Sequence, residues 1–128
     1  MLDYQKRLKT IFTEVFEGPN VDLDVIKQHF HADYQQWVDG EQMDFMQFVR
    51  HLKALKAAIG QVHIELARMV VDGNTVCVVH YPEGVKADGE KVRAKVISIF
   101  QFRDDKLLAC EELTFMVAGS FSANRAFK

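Results

Sequence analysis

Apolar residues recur along the N-terminal part of the chain with a helical period. Tyr4, Leu8, Ile11, Phe12, Val15 and Phe16 follow at spacings of four, three, one, three and one, which gathers them into one helical stripe. Gly18 and Pro19 end it, because glycine tolerates a left-handed cap and proline cannot extend the ladder. Asp22 starts a shorter second helix with Val25, Ile26, His29 and Phe30 on its inner side and Val21 placed to staple the first turn against Ile26. The stretch from His31 to Met43 lacks a helical period, contains Gly40, and reads as an ordered loop. A third helix begins at Asp44, where Asp44 and Gln47 have capping-box spacing. Phe45, Phe48, Val49, Leu52, Leu55 and Ile59 form its stripe. Lys53 and Lys56 lie near the negative end of its dipole, and Gly60 closes it.

From Gln61 onward the period changes to two. Val62, Ile64 and Leu66 alternate with polar neighbours, and Asp72-Gly73-Asn74 is a turn that leads into a strand from Thr75 to Tyr81. Pro82 and Gly84 read as breakers, Asp88-Gly89 as a second turn, Lys91 to Arg103 as a long strand, and Leu107 to Val117 as the last. Short turns make consecutive strands antiparallel. Helices first and strands after predict an α+β fold, with three N-terminal helices on one face of a curved four-stranded antiparallel sheet in one domain spanning residues 1–128.

The third strand carries a directional signal. Val92, Ala94, Val96, Ser98, Phe100 and Phe102 share one side, which is nearly all apolar and should meet the helices. Arg93, Lys95, Ile97, Ile99 and Gln101 share the other. Ile97 and Ile99 there predict a sheet-to-sheet homodimer contact, against the alternative of scattered surface apolar residues.

Composition narrows the function. With a net charge of −2 and a pI near 6.2, the chain has no basic face of the kind that binds nucleic acid. No apolar run approaches the roughly 18 residues of a membrane span, and Met1 to Arg7 contains no signal-type apolar stretch. Cys77 and Cys110 have no metal spacing and read as reduced thiols, so the expected location is the cytoplasm. His29 and His31 are two apart and diverge on a helix, and phosphate loops, dinucleotide fingerprints and haem motifs are lacking; neither a metal nor a cofactor is expected. Ser98 follows no nucleophile-elbow pattern.

Three helices, an ordered loop and a four-strand meander resemble the nuclear transport factor two-like superfamily, particularly its SnoaL-like branch. Phe30-His31-Ala32-Asp33-Tyr34-Gln35-Gln36-Trp37-Val38-Asp39-Gly40, Val96 to Lys106, and Leu107-Leu108-Ala109-Cys110-Glu111-Glu112-Leu113-Thr114-Phe115 carry the resemblance, which covers essentially the whole chain. It implies a cystatin-like cone with a deep pocket between sheet and helices, and frequent homodimers. Members include isomerases, dehydratases, cyclases and non-enzymatic binding proteins, so the fold alone does not give the activity. Ketosteroid isomerase is the best-understood chemistry on this fold. Its oxyanion aspartate aligns with Ser98, its base falls near Trp37 and Val38 with Asp39 next door, and its helix-one tyrosine falls at Ile11 or Phe12. With two of the three groups missing, that mechanism does not carry over.

The register implied by the resemblance points Cys110, Glu112, Thr114 and Met116 into the cone. Glu112 becomes the first candidate for acid–base work, since desolvation raises a carboxyl's pKa. Plain alternation favours Glu111 instead, which interrupts Leu107, Ala109, Leu113 and Phe115, and a one-residue slip exchanges the two. An outward glutamate paired with Arg93 or Lys95 is the structural alternative. Asp39 is the second catalytic candidate, as a base or water holder, or else a turn former before Gly40. Tyr34, Trp37, His80, Ser98, Cys110 and Thr114 are the candidate substrate-binding residues. His80 is placed either as a proton carrier or as a core histidine, and His51 and His63 read as surface positions. The tail from Gly119 to Lys128, with Phe121 and Phe127, is expected to cover the pocket mouth or a partner subunit, or else to be disordered. The implied activity is cofactor-free proton transfer on an apolar or aromatic carbonyl metabolite; the alternative is a ligand-binding or interaction module without chemistry.

Overall fold

The computed structural model describes residues 2–119; the tail beyond, with Phe121 and Phe127, lies outside the described residues. Helix α1 (Tyr4–Ile11) starts where the Asp3 carboxylate accepts from the Lys6 N–H at 3.1 Å. At Phe12 the chain widens into a π-helical turn, Phe12–Glu17, a rare form often found beside functional sites. Its end is held from outside: Lys56 Nζ donates to the carbonyl oxygens of Val15, Gly18 and Asn20 at 2.7, 2.6 and 3.1 Å. Lys56 is therefore a buried clamp rather than a solvated charge at the third helix's end. Helix α2 (Leu23–His29) starts on Asp22, whose side chain accepts from the Asp24 and Val25 N–H groups. It is tied to α1 by Arg7, which donates to His29 Nδ1 at 2.6 Å and to the Gln28 carbonyl.

The segment expected as a loop is two strands, β1 (Phe30–Val38) and β2 (Glu41–Asp44), joined at Asp39-Gly40. Asp39 has φ 50° and Gly40 φ 89°, so both sit in the left-handed region that a two-residue hairpin turn of primed type requires. Helix α3 (Phe45–Ile59) follows with its capping box complete: Gln47 N–H to Asp44 Oδ1 at 2.8 Å, and Asp44 N–H to Gln47 Oε1 at 2.9 Å.

The meander is β3 (His63–Asp72), β4 (Thr75–Val85), β5 (Lys91–Arg103) and β6 (Lys106–Ala118). Pro82 and Gly84 do not end β4. His80 pairs with Val96 and Glu83 with Arg93 in one unbroken register, so the strand carries the proline across the gap between these pairs. Gly84 is needed for packing, because a Cβ there would run into the Ile59 side chain at the end of α3. The sheet has six strands rather than four, in the order β2-β1-β6-β5-β4-β3. It is mixed rather than antiparallel throughout, since β1 runs parallel to β6. Irregular registers in β1, β3 and β6 bend it, as bulges do.

The predicted inner face of β5 is buried from Val92 to Phe102, with none of its six residues above 3% exposure. It meets two apolar clusters. The larger joins Leu8, Ile11, Phe12, Phe30, Phe48, Leu52 and Phe100; the smaller joins Ile59, Val62, Val92, Ala94 and Val96. On the outer face Ile97 is 46% exposed, and its cross-strand partner Leu113 is 68% exposed.

Candidate functional site

A cavity of about 80 Å³ lies at the seam between the two clusters. Phe12 and Phe16 of the π-turn and Phe48, Leu52 and Leu55 of α3 form its helical wall. Ile64, Pro82, Val96 and Phe100 belong to its sheet wall. Four polar side chains reach it: Gln36 from β1, Glu112 from β6, His80 from β4 and His51 from α3. No lysine or arginine is among its described lining residues.

Strand register arranges the sheet-side groups. Gln36 pairs with Cys110, two residues before Glu112; Ser98 lies directly opposite Glu112; and Val78, opposite Ser98, is two residues before His80. One polar band thus crosses four strands on the inner face. Glu112 is partly buried as a residue, its open side being the cavity, and its carboxyl is enclosed by protein. Burial pushes that carboxyl up to about 7, against the Cys110 thiol, which lowers it by donating to Oε1 at 3.4 Å, and with a smaller raising contribution from the nearby Asp39 charge. The Glu111/Glu112 ambiguity is resolved in geometry: Glu112 faces in, whereas Glu111 is exposed on the outer face opposite Ile99. Nor is Glu112 held by Arg93, which instead binds Glu83 at 2.9 Å and Glu65 at 3.0 Å and lies over the Tyr81 ring.

Asp39 does not line the cavity; it makes the hairpin turn and bonds the neighbouring strand. Its N–H donates to the Glu112 carbonyl at 3.0 Å, and its Oδ1 accepts from the Thr114 N–H at 2.9 Å, while Oδ2 is buried without a partner. Tyr34 is fully buried beneath the floor and donates to Gln36 Oε1 at 2.6 Å. Burial pushes the Tyr34 hydroxyl and the Cys110 thiol well up, so both stay protonated. Thr114 shares the inner face but is not among the cavity's lining residues. Trp37 departs furthest from expectation: Tyr34, Gln36 and Val38 alternate inward, so Trp37 points to the outer face, 37% exposed and opposite Glu111.

His80 is 7% exposed, and burial drives its imidazole down to about 4, leaving it neutral with Nδ1 unpartnered. The Ser98 hydroxyl is likewise fully buried without a partner. Sequence reasoning missed Gln36 and His51. His51 lies three residues after Phe48 and four before Leu55, so helical spacing already placed it on the inner stripe. Gln36 was hidden because its strand went unread. His29 and His31 are spent locally, on Arg7 and on the Asp33 N–H, and no cluster of three metal-type side chains occurs among the described residues.

A π-widened helix, a bent six-stranded sheet and an enclosed polar band define a pocket protein of the nuclear transport factor two-like fold. The SnoaL-like domain family matches residues 12–109, and the chain belongs to it. An uncharacterised protein of Schizosaccharomyces pombe is 28% identical over 117 residues, 91% of this chain and 89% of its own. IdmH, a candidate polyketide cyclase from Streptomyces antibioticus, superposes with a TM-score of 0.75 at 11% identity, over 88% of this chain and 92% of its own. An epoxide hydrolase from M. tuberculosis superposes at 0.70 with 13% identity, over 86% and 80%. At such identities the two structures show a shared fold.

Proposed function

We propose that this protein binds a small, neutral, apolar or aromatic carbonyl compound and moves a proton on it without a cofactor, in an isomerisation, dehydration or aldol-type cyclisation. The observation that carries this reading is the Glu112 carboxyl: with its pKa raised to about 7 in a largely apolar cavity, it can both give and take a proton under ordinary conditions. Neutral His80 adds an uncharged hydrogen-bonding group on the cavity wall, and the lack of a cation among the described lining residues disfavours anionic ligands. The candidate cyclase and the epoxide hydrolase among the fold relatives are in keeping with small-molecule chemistry. The cavity is smaller than the roughly 150 Å³ that accepts benzene, so the ligand inserts one reacting end and leaves the rest at the mouth.

We infer a homodimer through the outer sheet face, where Ile97, Ile99, Leu113, Phe115 and Val117 are all more than two-fifths exposed on two adjacent strands. Two free thiols and the lack, among the described residues, of a helix long and apolar enough to cross a membrane support a cytoplasmic site of action. Light scattering of wild type and Ile97→Lys tests the dimer: a dimer that becomes monomeric supports it, and a monomeric wild type rejects it.

Thermal shift with a panel of aromatic and cyclic ketones, on wild type and Glu112→Gln, tests the ligand reading. A ketone that stabilises wild type more than the variant is the expected result. A panel without effect on either protein overturns it in favour of a non-catalytic interaction module.

A further inference from the structure

We propose that His51 is the second catalytic group of this cavity, a base on the helical wall that works against the Glu112 acid on the sheet wall. This rests on the acid–base reading above. His51 shares the α3 stripe with Phe48, Leu52 and Leu55, all of which line the cavity. Glu112 reaches the same space from β6, so a ligand inside lies between the two.

The surroundings of His51 suit a base. Burial lowers its pKa and keeps the imidazole unprotonated before reaction, while the Glu41 carboxylate of β2 raises it and stabilises the imidazolium that follows. His80 is a poorer base. Its burial is deeper and only a hydrogen bond to the Val78 backbone counters it, so a proton placed there has no carboxylate to hold it.

In the step itself, the free ring nitrogen of His51 takes a proton from the carbon beside the ligand's carbonyl. The C–H electron pair becomes the enol double bond, the carbonyl π pair takes the carboxyl proton of Glu112, and the products are a neutral enol, imidazolium and carboxylate. Return of a solvent-derived proton to the carbon reverses the step, so a simple ketone exchanges its α-hydrogens with the solvent.

The experiment follows exchange of cyclopentanone α-protons in D₂O by proton NMR, with the full chain and its His51→Gln, Glu41→Gln and Glu112→Gln variants across pH. Wild type should exceed the buffer rate, and the His51→Gln and Glu112→Gln variants should each lose at least about tenfold of the excess. Glu41→Gln, which leaves His51 in place, should shift the acidic limb of the profile to lower pH, an effect that a merely structural histidine would not produce. Exchange that needs Glu112 but proceeds unchanged in His51→Gln, or a limb that ignores Glu41→Gln, overturns this assignment alone. Exchange at the buffer rate in wild type overturns the acid–base reading and this assignment with it.

Discussion

Ser98 stands directly across the β5–β6 ladder from Glu112, fully buried, with its hydroxyl bonded to nothing. Side chains so paired have Cβ atoms roughly 5 Å apart, which sets the serine next to the Glu112 carboxyl, although it is not among the residues that line the cavity. An uncommitted buried hydroxyl costs about 1–3 kcal/mol. Ser98→Ala should therefore leave the ligand-free protein as stable as wild type or up to about 1 kcal/mol more stable, with ketone binding little changed because the serine does not line the cavity. Denaturant unfolding alongside ligand titration checks both. A clear loss of ligand-free stability would show that the hydroxyl serves the fold.

Glu112 itself should make stability depend on pH in an unusual direction. Its folded pKa, about 7, stands above the ordinary 4.5, so the folded state holds an extra proton between those values and stability falls as pH rises through that window. The loss is complete above pH 7 and is on the order of 3 kcal/mol. Glu112→Gln should match wild type near pH 4.5 and exceed it above pH 7. Taking the difference between the two proteins removes His29, His51 and His80, whose lowered pKa values act oppositely, costing stability as pH falls below about 6.5. A difference that stays flat from pH 4.5 to 8 would contradict the assignment.

Asp39→Asn separates charge from structure. Asparagine keeps the Oδ1 acceptor for the Thr114 N–H and tolerates the left-handed φ, but removes the negative charge that helps to raise Glu112. The variant should fold normally and show a lower Glu112 pKa. Asp39→Ala should instead lose about 1–3 kcal/mol, since the turn and the Thr114 bond both suffer. An unaltered Glu112 titration in Asp39→Asn would sever the electrostatic link between the two carboxyls.

How much of this was legible follows the range of the interactions. Local signals read correctly: the Asp44–Gln47 capping box, the Asp22 cap and the two faces of β5 depend on neighbours a few residues apart. Strand β1 did not read, because its partner β6 lies more than seventy residues away and Asp33, Gln35 and Gln36 blur its alternation. The Asp39-Gly40 pair was the available hint, being a strong hairpin signal. Missing β1 also misplaced Trp37 and concealed Gln36. For Glu112, plain alternation pointed to Glu111 instead, and only the register against β5 decides.

Lys56 offers a control away from the chemistry. Replacing it by methionine keeps the stem's bulk but strands the Val15, Gly18 and Asn20 carbonyls that its ammonium holds, which should cost about 2–4 kcal/mol. Thermal unfolding should show this loss, with Glu112 still titrating as in wild type. A variant as stable as wild type would show that these carbonyls find water instead.

The most direct test is the titration of Glu112 itself. Carboxyl carbon-13 chemical shifts of the full chain, assigned by comparison with Glu112→Gln, should show one glutamate with its midpoint near pH 7, well above the ordinary carboxylate range. A Glu112 midpoint near 4.5 would mean a solvated carboxylate at that position and would contradict the account of a buried acid–base group.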